Sequence, residues 1–170
     1  MSPIGGLYYF KECFMSEKPV SSSRTEMAQL MMPNDANHLG FAHGGVIMSI
    51  ADKVAYVCAA RHASCYCVTV SVDHVVFKKS IKLGELVLFK ASVNFVGTTS
   101  MEIGIKIFAE DLLTGIQRHT NSCYFTMVAI DNKGKKKAVP KLALETEEDK
   151  RRNENAKKRR SFRLGLKEEG

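Results

Sequence analysis

No apolar stretch in the chain approaches the roughly 18 residues that a membrane-crossing helix requires, so no membrane span is expected. Met1 to Lys18 lacks a basic segment followed by an apolar one, so it does not read as a secretory leader, and Met15 offers a second start. The cysteines (Cys13, Cys58, Cys65, Cys67 and Cys123) are odd in number and scattered through apolar segments. A disulfide framework is therefore not expected, and reduced thiols in a reducing, cytoplasmic compartment are. Cys65 and Cys67 form a C-x-C pair, but no second Cys/His pair at ligand spacing completes it, so no metal is expected. Internal repeats and low-complexity stretches are absent. So are aromatic platforms in the basic tail, where Phe162 stands alone. That argues against single-strand nucleic-acid binding, the first suspect for such a charge pattern.

The net charge is +7, and much of it is clustered. Lys133, Lys135, Lys136 and Lys137 form one group, and Lys150 to Arg163 holds eight Lys/Arg against one acid, Glu154. A polyanionic small molecule or a solvated helix face accounts for this as well as nucleic acid does. At 170 residues with 45% apolar composition, the chain fits one soluble domain and an appendage.

Hydrophobic spacing predicts one long helix among strands. Thr25 to Met32 reads as a strand, and Pro33 to Gly40 as turn chemistry. Val46 to His62 contains no Pro or Gly and is apolar nearly all round, the mark of a buried helix. Strands are expected at Val68–Val72, continuing toward Phe77, and at Glu85–Val96, Met101–Phe108 and Arg118–Ile130. Their short separators favour antiparallel hairpins. Glu145 to Leu164 reads as an exposed helix whose acids lead and bases follow, matching the helix dipole. The expected class is α+β: one central helix wrapped by a curved antiparallel sheet of about five strands, plus a basic C-terminal helix. The expected organisation is a flexible segment at 1–22, a domain at 23–140 and a charged helical tail at 141–170. An unpaired edge strand in such a sheet would invite dimerisation.

Asp52 lies mid-helix in apolar surroundings, where a carboxylate is costly without partners. The bland reading is an Asp bonded to a neighbouring loop, or exposed with Ser49 and Lys53. Gly45 lies seven residues earlier and so on nearly the same helix face. Gly44 and Gly45 permit close approach to bare backbone. The first amides of a helix lack intrahelical acceptors and can bind a carbonyl oxygen as charge grows on it. Amides at one end and a carboxylate further along suit acyl transfer to water. His43 is either a base or a capping residue. Asn37 is either functional or simply closes an Asx turn. His38, His62, His74 and His119 show no obvious partner.

Residues 33–45, Pro-Asn-Asp-Ala-Asn-His-x-Gly-x-x-His-Gly-Gly, followed by Ile50-Ala51-Asp52-x-Val54-Ala55, resemble the acyl-CoA hydrolase branch of the hotdog thioesterases. Further matches are Arg61-His62-Ala63, Val68 to Asp73, Phe77 to Gly84, Gly97 to Glu102, Phe125 to Ala129, Gly134-Lys135 and Val139-Pro140. The resemblance runs from about Met27 to Val139 and more loosely through the basic tail. It implies the hotdog fold. It also implies likeness to the single-domain bacterial form, which assembles as dimers and trimers of dimers, rather than to the tandem mammalian one. The implied site lies between protomers, with Asn37 from one side and Asp52 from the other. The implied coenzyme A contacts are Val70, Ser71, Val72, Thr99, Ser100, Met101 and Arg160, with Arg159 the alternative. Lys53 stands where the family often has Glu.

On this reading the thioester carbonyl docks at the helix amides of Gly44, Gly45 and Val46, on Gly45 or Val46 in particular, and Asp52 acts as general base or nucleophile. Asn37 orients water or carbonyl, and no cofactor is needed beyond the coenzyme A of substrate and product. A β-hydroxyacyl thioester dehydratase or hydratase on the same fold is a rival, but the His-Phe-Pro and Pro-Gly sequences of such enzymes are missing. A non-enzymatic acyl-CoA or nucleic-acid binding module is the other rival.

Overall fold

Helix α1 (Gly44–Ala63) begins and ends on local chemistry. The His43 ring accepts a hydrogen bond from the Gly45 amide at its start, and Ser64 takes a left-handed φ of 53° at its end. A computed structural model describes residues 17–73 and 75–168. Met15, Cys13 and His74, with the expectations attached to them, lie outside the described residues. The buried positions of α1 are Ile47, Ala51, Val54, Ala55, Cys58, Ala59, His62 and Ala63, at helical spacings of three and four. The helix is thus not buried all round, as its composition suggested. Ile50 and Val57 are half-buried, and Tyr56 is 38% exposed. One apolar flank is left only partly covered by its own chain.

A five-stranded antiparallel sheet wraps the buried face. It is built from β2 (Thr25–Leu30), β3 (Tyr66–Asp73), β4 (Leu86–Val96), β5 (Ser100–Glu110) and β6 (Gln117–Ile130), in the order β2-β4-β5-β6-β3. Inward side chains such as Phe89, Ile103, Ile105, Ile107, Phe125 and Met127 form the core with α1. Register breaks at Asn94, Val70 and Thr120 are β-bulges. Each bends its strand, and together they curl the sheet round the helix. The short strand β1 (Glu17–Pro19), within the segment read as flexible, pairs in parallel with β7 (Lys141–Ala143). No helix of the described residues is long and apolar enough to cross a membrane.

Helix α2 (Glu147–Glu168) opens with a reciprocal cap in which Thr146 and Asp149 each accept the other's amide. It was expected to be exposed, but one side of it docks on the outer face of the sheet through polar groups. Asp149 and Asn153 are buried, Asn153 donates to the carbonyl of the bulged Asn94 (2.8 Å), and Arg24 bonds Asp149 (2.9 Å). Further along, Arg159 donates to Glu102, which is 2% exposed, at 2.6 Å. Arg163 bonds Asp73. Hydropathy misses such a contact because both sides of it are charged or polar.

An ion pair helps to hold the segment between β3 and β4. Arg118 donates to Glu85 (2.6 Å) and to the Ser80 carbonyl (2.9 Å), while Glu85 also accepts the Lys82 amide (2.8 Å). The Arg118 bonds hold the Glu85 carboxyl below the usual carboxylate range. A depressed carboxylate stabilises the fold above its unfolded pKa and loses that contribution as pH falls through its native one. Replacing Arg118 by Ala should strand a nearly buried charge and lower the unfolding free energy at neutral pH by about 3 kcal/mol. It should also flatten the loss of stability below about pH 4.5. Denaturant titrations at neutral and acid pH check this, and equal stability of variant and wild type at neutral pH would refute it.

Candidate active site

The turn before α1 is a network of backbone and side-chain bonds. Asn37 Oδ1 accepts from the amides of Leu39 (2.9 Å) and Phe41 (3.1 Å), and the Asn37 amide donates to the Phe41 carbonyl (2.7 Å). This is the Asx turn foreseen as the alternative to a functional role. The two are compatible, because only the side-chain carbonyl is used. The Asn37 NH2 group has no acceptor among the described residues and remains available as a donor.

His43 settles which helix amides are free. Its Nδ1 accepts from Gly45 N (2.9 Å), and its carbonyl accepts from Val46 (3.0 Å) and Ile47 (3.2 Å). The Gly45 and Val46 amides, expected to dock a carbonyl, are therefore already bonded. Gly44 N is the first-turn amide without an acceptor among the described residues. Gly45 also has a steric reason to be glycine, since a Cβ there would stand 3.0 Å from His43 Nδ1. His43 thus caps the helix through Nδ1.

Asp52 is half-buried on α1 and accepts the Thr69 hydroxyl of β3 through Oδ1 at 2.6 Å. Its second oxygen has no partner among the described residues, and Lys53 is exposed and forms no ion pair with it. Thr69 was not anticipated. In the sequence it is one polar position in an alternating strand, and only its register opposite Met127 aims it at the helix. The same row of the sheet continues through Met127 to Met101. The carboxylate and the start of β5 therefore lie at one level of the sheet.

The residues expected to meet coenzyme A divide by exposure. Val70 (58%) and Val72 (41%) are exposed on the edge strand, while Ser71, Thr99 and Ser100 are half-buried. Met101, at 1% exposure, turns its side chain into the core and cannot offer it to a ligand. Arg159 is committed to Glu102 and stacks 3.6 Å above the Tyr124 ring. Arg160 is exposed, 5.4 Å from the Phe95 ring and beside Gly97, at the turn that carries Thr99 and Ser100. Of the two arginines it is the one without an ion-pair partner among the described residues. Among the described residues no group of His, Cys, Asp or Glu side chains is arranged to hold a metal ion.

Comparison with known proteins identifies the family and the fold. Residues 39–116 match the family model described as "Thioesterase superfamily". The chain is 49% identical over 137 residues to Protein VdlD of Helicobacter pylori, covering 81% of this chain and 78% of that protein. Among solved structures, an apo-hexameric acyl-CoA thioesterase superposes with a TM-score of 0.86 at 39% identity, covering 88% of this chain and 96% of that one. An acyl-CoA hydrolase of Staphylococcus aureus, in complex with butyryl coenzyme A and coenzyme A, superposes with a TM-score of 0.85 at 33% identity, covering 90% and 93%. Other structures of that hydrolase carry alanine in place of one asparagine, one aspartate and one threonine, spaced successively 15 and 17 residues apart. The helix wrapped by its curved sheet is the hotdog fold, and the chain belongs to the acyl-CoA hydrolase family of the thioesterase superfamily.

Proposed function

We propose that the chain hydrolyses acyl-CoA thioesters to a free carboxylic acid and coenzyme A, with Asp52 as general base on the attacking water. The observation that carries this is the half-buried Asp52, fixed through one oxygen by Thr69 and open at the other. The Staphylococcus aureus variants support it, since Asn37, Asp52 and Thr69 recur at the same spacings. In this reading water sits at the open carboxylate oxygen, Asp52 takes its proton, and the resulting hydroxide attacks the thioester carbon. The carbonyl oxygen gathers negative charge and is met by an amide donor, the tetrahedral intermediate collapses with cleavage of the C–S bond, and the departing coenzyme A thiolate takes up the proton held by Asp52. No cofactor enters these steps.

The donor cannot come from the same helix as the base. Gly44 and Asp52 are eight residues apart, about 12 Å along the axis at 1.5 Å per residue. Asp52 must reach the attacking water and the amide the carbonyl oxygen, each within about 3 Å, and the few bonded or nearly bonded atoms between them do not span that separation. Gly44 and Asn37 share a single hydrogen-bonded turn, so they form one half-site, and Asp52 with Thr69 forms the other. A second copy of the chain brings the halves together, and a two-fold dimer holds two equivalent sites. The edge strand β3 suits this assembly, because Tyr66, Val68, Val70 and Val72 are 41–58% exposed along it. Trimers of such dimers are the proposed larger assembly, in keeping with the hexameric relative. Arg160 meets the phosphates of coenzyme A beside Thr99 and Ser100. The proposed compartment is cytoplasmic, where the buried thiols of Cys58, Cys67 and Cys123 stay reduced.

Replacing Asp52 by Asn should lower turnover at least about 100-fold, measured as thiol released from acyl-CoA. Wild-type rates from a folded variant would remove Asp52 from the chemistry. Thr69→Val keeps the shape but removes the bond to the carboxylate. It should cost about tenfold in kcat, the effect of one hydrogen bond to a charged group, with KM little changed. The shared site has its own test. Asn37→Ala and Asp52→Ala chains, each inactive alone, should recover about a quarter of wild-type activity when co-expressed. Half of randomly paired dimers are mixed, and each mixed dimer holds one intact site of two. No recovery from dimers shown by mass to be mixed would refute a site divided between protomers.

A further inference from the structure

One large apolar side chain next to this site has no role in the steps above. Phe77 is 50% exposed, yet its ring packs on the helix tip, and a Cβ built on Gly44 would meet ring carbons at 3.4, 3.6 and 3.8 Å. The segment that carries it is fixed on several sides. Lys78 donates to the Thr120 carbonyl (3.1 Å), Arg118 holds Ser80 and Glu85, and Ala42 donates to the Ile81 carbonyl (2.9 Å). The backbone beside the ring is therefore anchored by two other parts of the fold, β6 and the turn before α1. Such anchoring suits a wall more than a lid.

We infer that Phe77 is a specificity-determining residue that limits the room at the carbon next to the thioester carbonyl, so that the site takes unbranched aliphatic acyl groups and rejects those branched at that carbon. The inference rests on the reading that the carbonyl oxygen accepts from Gly44 N. With the oxygen on that amide, the carbonyl carbon lies one bond away and the next carbon two, in the space the Phe77 ring borders. An unbranched methylene is slim enough to pass the ring edge, whereas a methyl branch adds volume against a ring whose neighbouring backbone is anchored. Burying a half-exposed ring against an acyl chain is also favourable, because it removes apolar surface of both from water.

The test compares kcat/KM for the straight-chain acyl-CoA that the wild type hydrolyses fastest with that for its 2-methyl derivative. Phe77→Ala should raise the branched-to-straight ratio by about tenfold or more, the scale at which a hydrophobic pocket distinguishes one methyl group. Phe77→Leu, which keeps apolar packing on Gly44, should give a smaller rise and serves if the alanine variant does not fold. A ring with only a structural role would lower both substrates together and leave the ratio unmoved. A ratio within twofold of wild type in whichever variant folds overturns the inference, as does a wild type that takes both substrates equally. Asp52→Asn run in parallel separates the two levels. If it stays active, the reading of the site fails. If it is inactive while the ratio does not move, only the role of Phe77 fails.

Discussion

The close approach of α1 to the sheet is the constraint on which the rest depends. Ala51, Ala55, Ala59 and Ala63 recur every four residues along the buried face of the helix and present it with little side-chain bulk. Strand β3 can therefore lie near enough for a side chain as short as threonine to reach Asp52. Bulky residues along that strip would hold β3 away and break the only hydrogen bond that positions the carboxylate among the described residues. The bulges serve the same end, since a flat sheet could not follow the helix from β2 round to β3. Packing and site geometry are thus one arrangement, and the placement of the Asp52 carboxylate is set by small side chains in the core.

The outer face of the sheet is built on another principle. Glu102 and Asp149 lie almost fully buried there, each matched by an arginine from a different element, and the open carbonyl of a bulge is met by Asn153. Breaking such a pair is expensive because it leaves one charge uncompensated, although the intact pair adds little net stability. What it supplies is registry. Arg159 on Glu102 fixes the rotation of α2, and that rotation decides that Arg160, the next residue, points toward the Thr99–Ser100 turn.

The sequence made the long helix, the four strands that follow it and the turn before it legible, because burial on one face imposes periodicities that survive in composition. Asp52 stood out as a carboxylate in apolar surroundings, and Asn37 through the resemblance. The remainder depended on orientation. The choice between Arg159 and Arg160 turns on the phase of α2 against one buried glutamate. The choice among Gly44, Gly45 and Val46 amides turns on where one imidazole points. Thr69 was hidden by a bulge at its neighbour Val70, which disturbs the alternation that would otherwise report which way each residue of β3 faces. The docking of α2 was invisible to hydropathy, being made mostly of charged and polar groups, with Ala156 its one fully buried apolar residue among the described residues.

The cysteines carry a final implication. Burial pushes the thiols of Cys58, Cys67 and Cys123 up to about 12, far above the range in which a thiolate forms at neutral pH. A catalyst of this family sets free one mercaptan per cycle beside its own surface, and mixed-disulfide exchange needs a reactive sulfur on the protein side. With those three sulfurs protonated and enclosed, the core is insulated against capture by the leaving group, so repeated turnover in an oxidising spell would leave these three sulfurs unmodified, whereas the half-buried Cys65 is not enclosed in this way.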